Sequence, residues 1–506
     1  MKQGSVLICR LKTHRPFPWA YAFLIVILLL IFSYSLFGEK ILYNDGAGWD
    51  GEFYRNVAKN FSFDFLNKGY DNFRIQRIFP FFILNIVYSI FSIAKTNATL
   101  MAGMLILNSI NLIVQIIFFF KLAKLLHWEK KITVLLFACF FFNFYTLKSC
   151  GYEPFQTDAF AISLSLISYY YLLAEKILHS YIAAVFAFFT WPLVTIVAIF
   201  LILFRKPFPR TTPDNKFPFH ILIPIAYLIG LGLISLALIL RKSTLTISTL
   251  IARDSSFPYL VMTAGATALF MFILLKAIVK KKYPYYKNFF SFSYAKHFLL
   301  LLLPFIITKI ALSFMTNGEF YYSSTIFSIQ ILIRPLKYPL IFLVNHITYW
   351  GIPFVLLLRY FPSCTEAIIK KSPGHSIILF LFLFFALDSE SRHIATFIPL
   401  LLVPLADVLS SKRITQRNLW ILVILQLSLS HFFYPINEQG TAAAFNAMQL
   451  DTFPAQRYFM NFGPWLNHKA YLFWGTISIF SFIMLSFLIK NEKNFPLNDI
   501  QSNRKP

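Results

Sequence analysis

From Tyr43 to Pro80 the chain reads YNDGAGWDGEFYRNVAKNFSFDFLNKGYDNFRIQRIFP. Asp45, Asp50, Glu52, Asp64 and Asp71 share this stretch with Arg55, Arg74 and Arg77. The segment Gly48-Trp49-Asp50-Gly51-Glu52-Phe53-Tyr54 sets a carboxylate among aromatic rings. A carboxylate so placed at a membrane surface can take the proton of a hydroxyl acceptor as a general base. Its glycines let backbone come close to a substrate. Asp50 is the expected base; Asp45, Glu52 and Tyr54 are expected to contact substrate, with Asp45 the weaker base. Asp50 also suits the start of a helix, which it would cap. Arg74-Ile75-Gln76-Arg77 carries two guanidiniums on one turn. Such a pair grips phosphate bidentately, although interfacial arginines also simply snorkel.

Two later stretches carry comparable chemistry. Tyr152-Glu153-Pro154 leads into Thr157-Asp158 and offers carboxylates for substrate hydroxyls or, with Asp50 and Asp158, for a divalent cation. The same residues fit the start of a helix, where acids meet the positive end of its dipole. Glu390-Ser391-Arg392-His393 lies between two apolar runs. Charges at membrane depth cost about 2.5–3.5 kcal/mol each on insertion scales, so they face a cavity or pair with one another. Glu390, Arg392 and His393 are therefore further substrate-contacting candidates. His346, His431 and His468 read as interfacial. No Walker A loop or glycine-rich nucleotide fingerprint occurs, so a pre-activated substrate or a gradient must supply the driving force.

The elements that must position these groups follow from composition. Of 506 residues, 58% are hydrophobic and 13% charged, and 61 are Phe; soluble domains are about a quarter charged. Apolar runs long enough to cross the bilayer core recur along the chain, which predicts an all-α, polytopic membrane protein with 12–14 transmembrane helices in one membrane domain. The net charge of +25 comes from Lys and Arg flanking apolar runs. That is the pattern of topology anchors, and it argues against nucleic acid as a partner. Cys9, Cys139, Cys150 and Cys364 form no CxxC pair.

The basic residues Lys2, Arg10, Lys12 and Arg15 precede a first helix over 18–37, expected to be retained with its N-terminus in the cytoplasm. The first outer loop then spans 38–98. Phe53, Val57, Phe61 and Phe65 recur every four positions, the spacing of an interfacial helix. The run 78–94 is short and holds Pro80 and Asn85, and if it crossed, the basic residues at 121–131 would fall outside; it is expected to be a second outer juxtamembrane or re-entrant helix. Helices follow over 99–120, 132–147 and 159–174. Residues 179–204 are flanked by basic groups at both ends, which predicts two half-length helices meeting at Trp191-Pro192 beside a protein- or water-lined cavity. Further helices are expected over 219–240, 257–279, 297–315, 337–361, 376–387, 394–409, 418–434 and 469–489. The loops 316–335 and 435–468 lie outside, while Lys280–Lys296 and the C-terminal tail lie inside.

The order of these features resembles the GT-C superfamily of membrane glycosyltransferases. WDGEFY opens the first outer loop, FRIQRIFP closes it, two short helices meet at Trp191, and an acidic-Arg-aromatic element follows late at Glu390–His393. The likeness is nearest to the mannosyltransferases of GPI-anchor synthesis and their bacterial relatives. It covers about 18–240 as a core module, with 376–404 matched more loosely inside the variable helices 241–506. It implies an inverting transfer of a sugar from a polyprenyl-phosphate donor to a lipid, glycan or protein acceptor. It also implies a site at the outer face of a bacterial inner membrane, or the lumenal face of the ER in a eukaryote. Carried onto this sequence, it makes Asp50 the base, Glu153 or Asp158 the second acid, and Arg74, Arg77 and Arg392 the donor-phosphate ligands. Asp45 and Asp50 are five residues apart rather than an adjacent acidic pair. The rival expectation is a transporter or flippase of a lipid-linked glycan; Lys309 is the main ionisable residue inside a predicted span.

Overall fold

A computed structural model describes residues 19–205, 219–240, 257–279, 292–317, 324–437, 439–447 and 466–491. The basic N-terminal residues, Cys9, the tail, and parts of the loops expected over 280–296, 316–335 and 435–468 lie outside these. The described chain is almost wholly helical. Its strands are the two-residue pair Lys412–Arg413 with Lys490–Asn491. Among the described residues five helices are long and apolar enough to cross a membrane, or eight if each of three bent pairs is one span. Shorter apolar helices of 10–17 residues accompany them. The architecture is that of a multi-pass membrane protein.

Two helices form the centre because apolar side chains cover their whole circumference. Lys130–Phe141 is buried from Ile132 onward, and Ile398–Leu409 is buried at all but one position. Phe119, Phe137, Phe140 and Phe141 interleave there with ring centroids 4.6–6.0 Å apart, the range of offset and edge-on pairs. Trp19–Phe37, Asn97–Leu125 and His468–Leu488 are peripheral and expose large apolar side chains such as Leu30, Ile106 and Phe480, as lipid-facing surfaces do.

Several expected spans are broken. The run expected over 337–361 divides into Ile341–Trp350 and Ile352–Arg359, and the latter meets Phe361–Lys371 at 86°. Gly351 makes the first break at φ +81°, where a Cβ would collide with the Gln426 side-chain amide. That amide donates to the carbonyls of Phe142 and Trp350 and accepts from the Ile352 N–H. It satisfies backbone groups that the helix breaks leave open inside the protein. The helix expected over 132–147 stops at Phe141 and continues as a π-helical turn, Tyr145–Ser149. The loop expected over 316–335 contains a helix, Ser324–Ile333, ending in a 3₁₀ turn at Arg334.

Other expectations match the architecture. Helices Ile177–Phe188 and Pro192–Leu203 meet at Trp191, whose backbone is extended. The stretch after the first helix forms two short helices, Trp49–Leu66 and Phe79–Ile90. Their apolar stripe packs inward: Val57 is buried, Tyr54 stacks on Phe81 at 4.5 Å, and Phe61 meets Phe82 at 4.5 Å. Asn85 Nδ2 donates to the Ala58 carbonyl at 2.8 Å and locks the two helices together. The Phe79 N–H donates to the Phe189 carbonyl at 2.9 Å, joining this loop to the break at Trp191.

Candidate functional site

The loop helix Trp49–Leu66 begins after Gly48, so Asp50 is its second residue and does not cap it with its side chain. The helix start lies against the segment before Asp158. Gly51 makes this possible, since a Cβ there would sit 3.0 Å from Phe155 Cβ. The carboxylate of Asp50 is thereby free to reach across the loop. Its Oδ1 accepts from Arg74 Nη2 at 2.9 Å, and its Oδ2 is 3.8 Å from Arg392 Nη2.

Arg74 lies on the 3₁₀ turn Arg74–Arg77. Asp71 builds that turn: its Oδ1 accepts from the Phe73 and Arg74 N–H groups, and its Oδ2 is 3.5 Å from Arg74 Nη1. Burial alone would lower the proton affinity of Arg74, but Asp50 and Asp71 outweigh it and raise it. Arg77 lies over the Trp191 ring at 4.2 Å and over Phe73 at 4.5 Å, a geometry in which the ring faces attract the cation. Burial pushes the pKa of the Tyr54 hydroxyl up to about 12, with the positive charge of Arg77 opposing the rise.

Arg392 sits deeper. Its Nε donates to Glu390 Oε1 at 2.5 Å. Glu390 Oε2 meets Arg334 Nη1 at 2.9 Å, and the same guanidinium nitrogen bonds both oxygens of Asp388 at 2.8 and 3.0 Å. Asp388 Oδ2 also bonds His393 Nδ1 at 2.6 Å. The His393 ring stands edge-on to Phe327 at 4.9 Å and lies 6.3 Å from Trp191. Burial pushes the Asp388 and Glu390 carboxyls up. The cations around them win: Arg334 and His393 hold Asp388 below the usual carboxylate range, and Arg392, His393 and Arg334 hold Glu390 there.

Glu153 and Asp158 complete the cluster from another side. Glu153 is buried and accepts from the Gln156 amide. Burial raises its pKa to about 7, with Asp158 and Asp50 adding to the rise and Arg392 and Gln156 opposing it. Asp158 opens the helix Asp158–Leu173 and is 1% exposed. Its Oδ1 has no hydrogen-bond partner among the described residues; burial raises its pKa, and Arg392, Arg77 and His393 oppose the rise without cancelling it.

Asp50, Arg74, Glu390, Arg392 and His393 are therefore joined by ion pairs, Arg77 reaches them through the Trp191 ring, and Tyr54, Glu153 and Asp158 lie within electrostatic reach of the same arginines. Two expected contacts lie apart from this cluster. Asp45 is exposed, with Oδ2 accepting from Asn97 Nδ2 at 3.3 Å, and Glu52 is exposed on its helix. Arg334 and Asp388 were not singled out from the sequence, although both flank apolar helices, where a charge needs a partner. Two cavities, of about 270 Å³ among Phe270, Phe342 and Leu357 and about 300 Å³ beside Glu39 and Lys148, are not lined by the cluster.

Among the described residues no three His, Cys, Asp or Glu side chains are arranged to hold a metal ion. Asp50 and Glu390 also fit such an ion poorly. Guanidiniums stand against Asp50 on both oxygens and against Glu390 on both oxygens. These positive groups compete with any cation for the same lone pairs. The arrangement suits an anionic ligand seated on arginines, with a carboxylate beside it. No family model, curated protein or solved structure matches this chain.

Proposed function

We propose that this chain is an inverting membrane glycosyltransferase of the GT-C type. It would have 12–14 spans, and its site would lie on the outer face of a bacterial inner membrane or the lumenal face of the ER. What supports the reading is the meeting of Asp50, Arg74 and Arg392 within a chain built of apolar helices. A lipid-linked sugar phosphate has that same division: an apolar tail in the bilayer, a phosphate at the interface and a sugar beyond it.

The chemistry then follows from the positions. Arg74, Arg77 and Arg392 bind the donor phosphate. A hydroxyl of a lipid, glycan or protein acceptor attacks the anomeric carbon from the opposite side. Its oxygen forms the new glycosidic bond while the bond from that carbon to the phosphate oxygen breaks. The hydroxyl proton passes to Asp50. The electron pair leaves with the lipid phosphate, whose growing charge the guanidiniums stabilise. Glu153 and Asp158 orient sugar or acceptor hydroxyls.

The test is transfer from a defined polyprenyl-phosphate sugar by the purified full chain. Asp50→Ala should remove turnover by about 10²–10⁴-fold, the usual contribution of a general base, with unchanged expression and membrane insertion. Near-normal transfer by this variant would eliminate Asp50 from the mechanism. A wild type that moves lipid-linked glycan across vesicles but never turns over would instead establish the flippase reading.

A further inference from the structure

The ion pairs of the cluster differ in depth, and that difference carries an inference about the order of events. Asp388 is fully buried, Arg334 nearly so, and Glu390 is 10% exposed. The Asp50–Arg74 pair is about one-third exposed on both sides. The inner pairs thus form a fixed frame, while the outer one is hydrated and exchanges readily, since exposed pairs contribute little.

We propose that Arg74 and Arg392 hold Asp50 in reserve, and that a phosphate headgroup frees it by drawing both guanidiniums onto itself. The anionic substrate then binds before the hydroxyl acceptor can be activated. This rests on the transferase reading above. Each Asp50 oxygen faces a guanidinium nitrogen, at 2.9 and 3.8 Å. An alcohol that bonds to the carboxylate competes with them for its lone pairs. The donor phosphate, esterified to both lipid and sugar, presents two unshared oxygens and one negative charge, which two guanidiniums can bridge together, so it competes with a single half-hydrated carboxylate for both of them. Both arginines have a second anchor: Asp71 for Arg74, and Glu390 for Arg392. They can therefore turn from Asp50 to a phosphate without leaving the site. The exchange has a protective result. Without the lipid phosphate in place, Asp50 is engaged and does not activate water or a stray hydroxyl.

The test separates this exchange from the transferase reading, because it measures binding of a sugar-free probe. The full chain in detergent is titrated with farnesyl phosphate, with farnesol as the uncharged control. Asp50→Asn, which is isosteric and removes the competing charge, should bind farnesyl phosphate about threefold tighter than wild type, from the strength of an exposed ion pair. Arg74→Gln should bind it at least about tenfold more weakly, the loss of a charge-assisted bond. Thermal midpoints near wild type establish that both variants are folded. If wild type binds farnesyl phosphate but Asp50→Asn binds it equally or more weakly, the exchange is overturned. The transferase reading survives that result if Asp50→Asn has also lost transfer. If wild type binds farnesyl phosphate no better than farnesol, the phosphate site falls, and the exchange and the proposed donor fall with it.

Discussion

Replacing Arg334 by glutamine removes a guanidinium bonded to two buried carboxylates and tests whether the frame of the site is electrostatic. In the wild type Arg334 Nη1 lies 2.8 and 3.0 Å from the oxygens of Asp388 and 2.9 Å from Glu390. Glutamine has similar reach but no charge, and the carboxylates are left with His393 and Arg392. Removing one partner of a buried pair costs about 3–5 kcal/mol, against total stabilities of about 5–15 kcal/mol for folded domains. The cost should depend on pH in a definite sense. In the wild type Asp388 and Glu390 titrate below their ordinary values of 3.8 and 4.5. Their stabilising contribution is therefore present above those values and is lost as pH falls through the lower folded-state values. In the variant burial is opposed by fewer cations, so the folded-state values rise. The penalty is then small only in strong acid, towards the depressed wild-type values where the carboxyls become neutral, and grows as pH climbs. The apparent thermal midpoint of the detergent-solubilised protein should fall more at pH 8 than at pH 2.5. Arg334→Lys, which keeps the charge, should recover much of the difference. A gap of equal size at both pH values would refute the electrostatic account and leave only lost packing; so would a variant as stable as wild type at pH 8.

Two further substitutions probe the rest of the cluster. Glu153 has its pKa raised by burial from 4.5 to about 7, so its contribution is fully present below 4.5 and is lost as pH rises through 7. The wild-type midpoint should decline across that window and Glu153→Gln should decline less; parallel curves would show that Glu153 does not titrate there. Gly51→Val forces a branched side chain against Phe155, which already stands 3.0 Å from the position of a Cβ. It should cost about 1–3 kcal/mol, as overpacking does, and lower transfer by moving Asp50 away from Arg392; wild-type stability and transfer would mean that the loop helix does not depend on that close approach.

Much of the scaffold was legible in the sequence because apolar runs bounded by basic residues carry their own signal. The two half-length helices at Trp191-Pro192 followed from a parity argument: both ends of one run wanted the same side. The short helix over 79–90 followed from Pro80 and from the basic residues around 121–131. The break at Gly351 did not follow, since Gly inside an apolar run reads as a tolerated helix residue. Only Gln426, far away in sequence, reveals why the chain turns there. The separation of Asp45 from the cluster was also hidden. Its distance from Asp50 in sequence is small, but the intervening turn, with positive φ at Asp45 and Gly46, faces it toward Asn97.

The cluster itself was legible in its parts and not in its pairings. Asp50, Arg74, Asp158 and Arg392 each stood out as polar groups in an apolar chain. Which of them would touch could not be read, because an ion pair between distant segments leaves no periodicity. Yet its members share a local mark. Glu153 precedes Pro154, Trp191 precedes Pro192, Arg334 precedes Pro335, Arg77 stands three residues before Pro80, and Asp388 follows a helix end at Phe385. A proline or a helix end in an apolar environment exposes backbone groups that need partners. Polar side chains are tolerated at such places because water or protein already has to meet the backbone there. Arg334 and Asp388 would have been candidates on that ground alone. In a chain of this kind, charged residues beside helix breaks, rather than charged residues in general, are the ones to bring together first.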